Sequence, residues 1–387
     1  MRNGLNLSGV SELVHELRTR PREALIDFNA GARYEGDSCG IGIGTINAGT
    51  IRIARDFRLP LRPVPEGRAP EPYEYFLAAL GGCVMVTYVQ GCSVKGITLT
   101  TLAVKVEGDL PGAPGKEGPQ TATGFRNLRY KVHFDCEGED AQLEEIAKQV
   151  SCFSPNHRTF IESADLAFDL AVTNSSGKRR RMGFESGWER SLPAAPSGRG
   201  SRESSHAVRL DWKYGTQLEA VPFVRENGEG RSGRGLLSID QPKQVGGIDL
   251  APNPQEYLLA AMCSDLLEGF LASSREADLR IRAAGVMGTG RLDFRGITNV
   301  DPGVPVRIHN LSFAFEVESD SDPLSIQAAM GSAIARSETC RTIRDETRIG
   351  VEVHRDDRRI CAFASDMTAT REFLKEMAAK AAAAKRP

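Results

Sequence analysis

The chain has 387 residues, of which 40% are hydrophobic and 26% charged, and its formal net charge is −2. This length exceeds what one ordinary hydrophobic core needs and predicts two domains. The near-neutral charge gives no general attraction to nucleic acid or to an anionic membrane, so neither is expected as a partner. The first twenty residues contain no apolar core of a secretory signal, which predicts a cytoplasmic protein.

Along the chain, the sequence predicts an N-terminal helix, then a meander of strands over residues 25–57. The apolar run from Phe76 to Val89 is shorter than the roughly 18 residues of a membrane span and contains two glycines. We interpret it as a buried helix. Two strands, a second helix with an apolar face between Leu143 and Val150, and a last strand at 166–170 follow.

The same series of elements recurs about 182 residues later. The segment PYEYFLAAL at 72–80 aligns with PQEYLLAAM at 254–262, and SPNHRTF at 154–160 aligns with SETCRTI at 337–343. Two strands with alternating apolar residues recur between and after these segments, in matching positions: Leu128, Tyr130, Val132 and Phe134 with Leu311, Phe313, Phe315 and Val317; Leu166, Phe168 and Leu170 with Ile349, Val351 and Val353. The matches predict a tandem repeat.

The repeat divides the chain into four segments. Residues 1–173 are the first α+β domain with its N-terminal helix, and residues 207–356 are the second domain. Residues 174–206, rich in Ser, Gly, Arg and Pro, are interpreted as a linker, including the basic run Lys178 to Arg181. Residues 357–387 are predicted to be a helical tail outside the repeat.

The cysteines and histidines do not form a recognisable metal-binding pattern. Eight cysteines occur without a CxxC pair, and the six histidines are scattered. Free thiols are therefore expected, and no metal or organic cofactor is predicted.

The helix motifs resemble the central helix of the OsmC/Ohr superfamily. The resemblance is carried by VGGIDLAPNPQEYLLAA at 245–261, the preceding SIDQP at 238–242, and the first-copy helix that ends in GGC at 81–83. It implies two long central helices wrapped by antiparallel-rich sheets that are exchanged between two protomers, with active sites at the protomer interface. A tandem copy would make the chain an intramolecular pseudo-dimer, with further homo-oligomers left open.

The resemblance also implies a chemistry. Members of the family resemble thiol peroxidases, in which a thiolate attacks an organic hydroperoxide and a second cysteine resolves the sulfenic acid. An arginine lowers the pKa of the thiol and a carboxylate orients that arginine. In this sequence Cys83 stands at the reactive position, Ser154 at the resolving position and Tyr73 at the carboxylate position.

The candidates around the first site follow from this alignment. Cys152 is a candidate resolving cysteine, His157 and Arg158 could activate Cys83, and Arg33 is a candidate for the thiolate-facing arginine. Each has a structural alternative. The cysteines could be small buried side chains, His157 could be a surface residue, and Arg33 could be exposed in an ion pair.

The second copy departs further from the family pattern. Asp265 takes the reactive position, Ser337 the resolving position and Gln255 the carboxylate position. Cys263 and Cys340 are a candidate thiol pair, with Arg341 and Arg209 as second-copy counterparts of Arg158 and Arg33. Asp265 lies in an apolar stretch and is either a site residue or a buried polar group with partners.

Three functions are compatible with this pattern. The leading one is a thiol-dependent, peroxiredoxin-like peroxidase that acts on small organic hydroperoxides at a site between the two domains. The alternatives are an enzyme of the lyase or hydrolase type that uses the diverged residues His157, Asp265 and Cys340, or a protein that binds a small ligand without catalysis.

Overall fold

A computed structural model describes residues 1–36, 38–61, 69–110, 124–183, 204–226, 229–232 and 235–384. The N-terminal part (residues 1–183) contains α1 (Leu7–Thr19), β1 (Leu25–Glu35), β2 (Ser38–Ile43), β3 (Ile46–Ala48), β4 (Ile51–Ile53), β5 (Phe57–Pro60), α2 (Pro72–Val94), β6 (Leu99–Leu110), β7 (Arg126–Cys136), α3 (Asp140–Phe153), α4 (Pro155–Ile161), β8 (Leu166–Thr173) and β9 (Arg179–Gly183). The C-terminal part (residues 204–384) contains β10 (Ser204–Tyr214), β11 (Gln217–Glu226), β12 (Glu229–Ser232), β13 (Leu237–Ile239), α5 (Pro254–Glu276), β14 (Ile281–Asp293), α6 (Phe294–Ile297), β15 (His309–Ser319), α7 (Pro323–Arg336), α8 (Glu338–Arg344), β16 (Ile349–Arg355), β17 (Arg358–Ser365) and α9 (Met367–Ala384). The fold is therefore of the predicted α+β class.

Helices α2 and α5 form the centre of the core and pack against each other. Each begins with a proline at its first position and has a capping box at its N-terminus, which satisfies backbone donors there. Because apolar residues surround α2 on all sides, it is buried rather than amphipathic. Among the described helices, α2 is long and apolar enough to cross a membrane, but 78% of its apolar window lies inside the protein, as in a core helix.

Each central helix packs closely on a sheet. A Cβ at Gly81 would lie 2.4 Å from Leu210 of β10 and 2.7 Å from Val106 of β6. A side chain there would force Leu210 and Val106 to shift, so the glycine lets α2 approach those two strands closely. The glycine in the predicted helix is thus a packing requirement and not a helix end.

Two large mixed sheets surround the helices. One has the order β4-β3-β1-β14-β15-β8-β9, with β2 paired to β1 and β5 paired to β2, and the other has the order β12-β11-β10-β6-β7-β16-β17, with β13 paired to β11. Most neighbours are antiparallel, while β15–β8 and β16–β7 are parallel. Each sheet contains strands from both parts of the chain, since β1 pairs with β14 and β10 pairs with β6.

Corresponding helices of the two parts have the same lengths. Helices α2 and α5 both have 23 residues and begin 182 residues apart, and α3 and α7 both have 14 residues. The predicted alternation in β7, β15, β8 and β16 is confirmed, because the apolar residues of these strands are buried.

Two predicted segments differ from the structure. Residues 174–206 were expected to lack regular structure, yet Arg179–Gly183 forms the edge strand β9, with Met182 buried and three arginines facing solvent. Charged residues on an edge strand prevent pairing with other chains, which explains the basic run. In the predicted helical tail, Arg358–Ser365 is the strand β17 on β16, and the helix begins only at Met367. Residues 184–203 lie outside the described residues.

Candidate functional site

The second predicted helix of each part is broken in two, and the break creates the site. Helix α3 ends at Phe153, Ser154 has an extended backbone, and α4 starts at Pro155, which has no N–H to continue the hydrogen bonds of α3. The turn places Ser154 and Asn156 against the middle of α2, where Cys83 lies.

Three hydrogen-bond donors converge on the sulfur of Cys83. The Ser154 hydroxyl donates to Sγ at 3.2 Å, the Asn156 backbone N–H at 3.4 Å, and the side-chain amide of Gln255 at 3.4 Å. The thiol is buried, with 3% of the residue exposed. Burial raises the pKa of Cys83 to about 11, and the three hydrogen bonds act in the opposite direction because they favour the thiolate.

The site combines residues of both parts of the chain. The side-chain amide of Asn156 donates to the carbonyl of Ala79 on α2 at 2.8 Å and to the carbonyl of Pro254 at the start of α5 at 2.9 Å. Gln255 donates to Asn156 Oδ1 at 3.3 Å. Asn156 thus fixes the first turn of α5 against Cys83.

The same arrangement recurs in the C-terminal part with a carboxylate in place of the thiol. Asp265 Oδ2 accepts hydrogen bonds from the Ser337 hydroxyl at 2.7 Å and from the Thr339 backbone N–H at 3.2 Å. The Thr339 hydroxyl adds a third at 2.7 Å. Burial raises the pKa of Asp265, whereas these donors lower it. Asp265 is therefore a buried polar group with partners at the position equivalent to Cys83.

Charged groups surround Asp265. Burial is the main cause that raises the pKa of Glu338 to about 7; Arg341 lowers it, and Asp265 raises it further. Arg341 Nη1 lies 3.4 Å from Glu338 Oε1. The pKa of Tyr73, on α2, is raised by burial and then by the charge of Asp265.

His157 and Arg158 do not contact Cys83. The His157 ring is buried, its Nε2 lies 2.8 Å from Ser365 Oγ of β17, and burial followed by the charge of Arg158 lowers its pKa to about 3. Arg158 donates to the Cys152 carbonyl at 2.9 Å and pairs with Glu162. Both side chains hold α4 in place, and the surface alternative for His157 is wrong.

The three other candidate cysteines are buried thiols. Cys152 lies in the last turn of α3, and burial raises its pKa to about 11 while Arg158 lowers it. Cys263 donates to the Ala30 carbonyl at 3.4 Å. Burial raises the pKa of Cys263, and Cys340, whose own pKa burial raises to about 12, raises it further. The eight cysteines are all free.

Arg33 and Arg209 lie on the outer faces of their sheets. Their side chains are 71% and 58% exposed, and they pair with Glu35 and Asp211 respectively. The residues on either side of each arginine, such as Ala32 and Leu210, point to the core, so strand alternation turns the arginines outward. The expectation that one of them faces the thiolate is corrected by these positions.

A buried arginine that the sequence reasoning missed lies beside the site. The side chain of Arg55 is 3% exposed, and it forms ion pairs with Glu256, which follows Gln255, and with Asp249 at 2.9 Å. Burial lowers the pKa of Arg55, and Asp249 raises it. Nothing in the local pattern around Arg55 indicates this contact, because its partners are some 200 residues away.

An open cavity of about 290 Å³ lies near the first turn of α5. Residues of both parts line it, including Phe57, Leu250 and Tyr257. Within the described residues, no group of three or more His, Cys, Asp or Glu side chains could hold a metal ion.

Comparison with known proteins gives one family. Residues 65–168 match the OsmC-like protein family, and this segment includes Cys83, Ser154 and Asn156. Among solved structures, the chain is similar to an OsmC-like protein from Mycoplasma pneumoniae, with 19% identity, 33% of this chain and 84% of that chain covered, and a TM-score of 0.25. No curated protein matches the sequence.

Proposed function

Starting from the OsmC-like domain that the chain contains at residues 65–168, we propose that the protein reduces small organic hydroperoxides with Cys83 as the nucleophile. The observation that carries the proposal is the convergence of Ser154, Asn156 and Gln255 donors on Cys83 Sγ. Such donors stabilise a thiolate, which is the reactive form of cysteine.

The proposed step is a two-electron oxidation of sulfur. The Cys83 thiolate attacks the terminal oxygen of the hydroperoxide, an S–O bond forms and the O–O bond breaks. The leaving alkoxide takes a proton and departs as the alcohol, and Cys83 becomes a sulfenic acid. Neutral donors take the place of the arginine and carboxylate of the family pattern.

The proposal implies a steep pH dependence. Because burial raises the pKa of Cys83 to about 11, only a small fraction is thiolate at neutral pH. Below that pKa, the thiolate fraction and hence the rate should rise about tenfold for each pH unit.

The test is single-turnover consumption of tert-butyl hydroperoxide by the reduced protein at pH 7, 8 and 9, with peptide mapping of the products. The wild-type chain and the control variant Cys39→Ser, on β2, should consume about one equivalent, and Cys83→Ser should lose this reaction. Equal consumption by Cys83→Ser, or a Cys83 that stays a thiol, would contradict the proposal.

We also propose that the chain is a tandem duplication whose two parts form an intramolecular pseudo-dimer. Three observations support this: α2 and α5 have equal lengths, the two sheets have the same order of corresponding strands, and Gln255 of the C-terminal part contacts Cys83 of the N-terminal part. Covalent linkage keeps the two parts at an effective concentration in the ~mM range.

A protease site inserted between residues 184 and 203 tests this arrangement. After cleavage, the two fragments should sediment together as one particle, because each sheet contains strands from both. Two separate folded fragments would contradict the pseudo-dimer.

A further inference from the structure

The two equivalent donor sets hold different acceptors. Ser154 Oγ and Asn156 N donate to the sulfur of Cys83 at 3.2 and 3.4 Å, while Ser337 Oγ and Thr339 N donate to a carboxylate oxygen of Asp265 at 2.7 and 3.2 Å. In an aspartate, the oxygens lie one bond beyond Cγ, the atom that corresponds to the sulfur of cysteine. The C-terminal part therefore has a carboxyl oxygen where an oxidised cysteine would carry its oxygen.

The donors at Cys83 lie at ordinary hydrogen-bonding distances from a sulfur, and the equivalent hydroxyl and backbone N–H hold an oxygen at Asp265. Hydrogen bonds to an anionic oxygen such as that of a sulfenate are short and strong. The 2.7 Å contacts to Asp265 show that this donor arrangement can hold an oxygen closely. Gln255 is the third donor to Cys83, at 3.4 Å, as the Thr339 hydroxyl is the third donor to Asp265. An oxygen bound to Cys83 Sγ would thus have three donors within reach.

The alternative fate of an oxidised Cys83, a disulfide with Cys152, meets structural resistance. Cys152 is buried in the last turn of α3, and its carbonyl accepts a hydrogen bond from Arg158 at 2.9 Å. Arg158 in turn pairs with Glu162, and its side chain is 9% exposed. Movement of Cys152 toward Cys83 would require this end of α3 to unwind and break those contacts.

We propose that the Cys83 pocket retains the sulfenate formed on Cys83 and that an external low-molecular-weight thiol, not Cys152, reduces it. This inference rests on the proposed hydroperoxide reduction. The thiol attacks the sulfenic sulfur, an S–S bond forms and the S–O bond breaks with release of water. A second thiol displaces Cys83 from the mixed disulfide, so that two thiols become one disulfide and Cys83 is a thiol again.

The experiment measures the lifetime of the sulfenic acid. Reduced protein is oxidised with one equivalent of tert-butyl hydroperoxide, and samples taken over time are trapped with dimedone and mapped by mass spectrometry. The lifetime should be the same in wild type and Cys152→Ser. It should fall about fivefold or more in Ser154→Ala and Gln255→Leu, which each remove one donor to the oxygen.

Ser337→Ala is the matched control, because it removes the equivalent hydroxyl at Asp265 and should leave the lifetime unchanged. Addition of excess 2-mercaptoethanol should restore the thiol at equal rates in wild type and Cys152→Ser. A Cys83–Cys152 disulfide that forms as the sulfenic acid disappears, or lifetimes that do not respond to loss of either donor, would overturn the inference.

Oxidation by hypochlorous acid separates the two proposals. This oxidant chlorinates thiols without assistance, and water converts the product to a sulfenic acid. If hydroperoxide leaves Cys83 unchanged, the proposed function fails. The sulfenic acid lifetimes of the same variants, measured after oxidation with hypochlorous acid, then test whether the pocket retains the sulfenate. A Cys83 that neither oxidant converts to a trappable sulfenic acid overturns both.

Discussion

Gln255 Nε2 lies 3.4 Å from Cys83 Sγ, although 172 residues separate the two in the chain. The contact depends on the packing of α5 against α2, and Asn156 reinforces it by donating to the carbonyl of Pro254. The first turn of α5 therefore belongs to the environment of the thiol, and the reactivity of Cys83 depends on the C-terminal part of the chain.

Loss of the Gln255 amide should make Cys83 less reactive. In Gln255→Leu, the thiolate loses one of its three donors, so the pKa of Cys83 should rise further above its usual range by about one unit. The rate of alkylation of Cys83 by iodoacetamide should fall about tenfold at pH 8 to 9. Peptide mapping of the alkylated protein measures this rate for each cysteine.

Tyr73→Phe is the control for that experiment, because Tyr73 is the second residue of α2, as Gln255 is the second residue of α5. It should leave the alkylation of Cys83 unchanged. Equal rates in wild type and Gln255→Leu would mean that the amide does not act on the sulfur.

Much of the fold could be predicted from the sequence because it depends on local periodicity. Alternating apolar residues fixed the inward faces of β7 and β15, and the apolar run after Pro72 identified a buried helix. Strand β17 was missed because its residues alternate weakly: five of the eight in Arg358–Ser365 are partly or fully buried on a half-exposed edge. The alanine-rich helix α9 follows it, and its strong helix propensity led to the prediction of a helical tail.

The site was less predictable because its contacts are long-range. Cys83 and the position of Ser154 could be located by the resemblance to the OsmC/Ohr superfamily, yet the contacts of Gln255 and of the buried Arg55 depend on the packing of the two parts. The alternation of inward and outward residues in β1 could have excluded Arg33 as the thiolate-facing arginine, since Ala30 and Ala32 point inward and position 33 therefore points outward. For His157, the helical turn that directs Asn156 N toward Cys83 directs the next side chain toward β17.

The buried pair of Arg55 and Glu256 should contribute strongly to stability when one partner alone is removed. In Arg55→Met, Glu256 and Asp249 lose their cation while the Glu256 side chain stays fully buried. We expect a loss of about 3–5 kcal/mol in the free energy of unfolding, measured by urea denaturation. The double variant Arg55→Met with Glu256→Gln should lose less, because no unpaired charge then remains at position 256.

Arg282→Met is the comparison for this prediction, because Arg282 and Asp320 form an ion pair with side chains 43% and 53% exposed. Such an exposed pair should contribute only about 0–1 kcal/mol. If Arg55→Met costs no more than Arg282→Met, the buried pair does not hold α5 in place.

Glu338 should make the protein less stable as the pH rises from about 4.5 to 7. Its pKa in the folded protein is about 7, above the ordinary value of 4.5, so the folded state keeps a proton that the unfolded chain releases. Replacement by glutamine removes this effect, and the stability of Glu338→Gln relative to wild type should rise across that pH range by up to about 2–3 kcal/mol. Urea denaturation at pH 4.5 and 7 measures it, with exposed Glu318→Gln on β15 as the control. A difference that stays constant between the two pH values would argue against a buried, protonated Glu338.

His157 should have the opposite effect and limit stability in acid. Its folded pKa of about 3 lies below the ordinary value of 6.5, because burial and the nearby charge of Arg158 disfavour the imidazolium. As the pH falls below 6.5, the unfolded chain binds a proton that the folded protein does not, and stability is lost progressively down to about pH 3.

Replacement of this histidine should flatten that loss. In His157→Gln, which keeps a polar group near Ser365, the free energy of unfolding should fall less between pH 6.5 and 4.5, by about 2–3 kcal/mol relative to wild type. Exposed His15→Gln on α1 is the control and should follow the wild-type curve. Parallel curves for wild type and His157→Gln would show that His157 accepts a proton within the fold, because opening of β17 at Ser365 would then give the ring access to water.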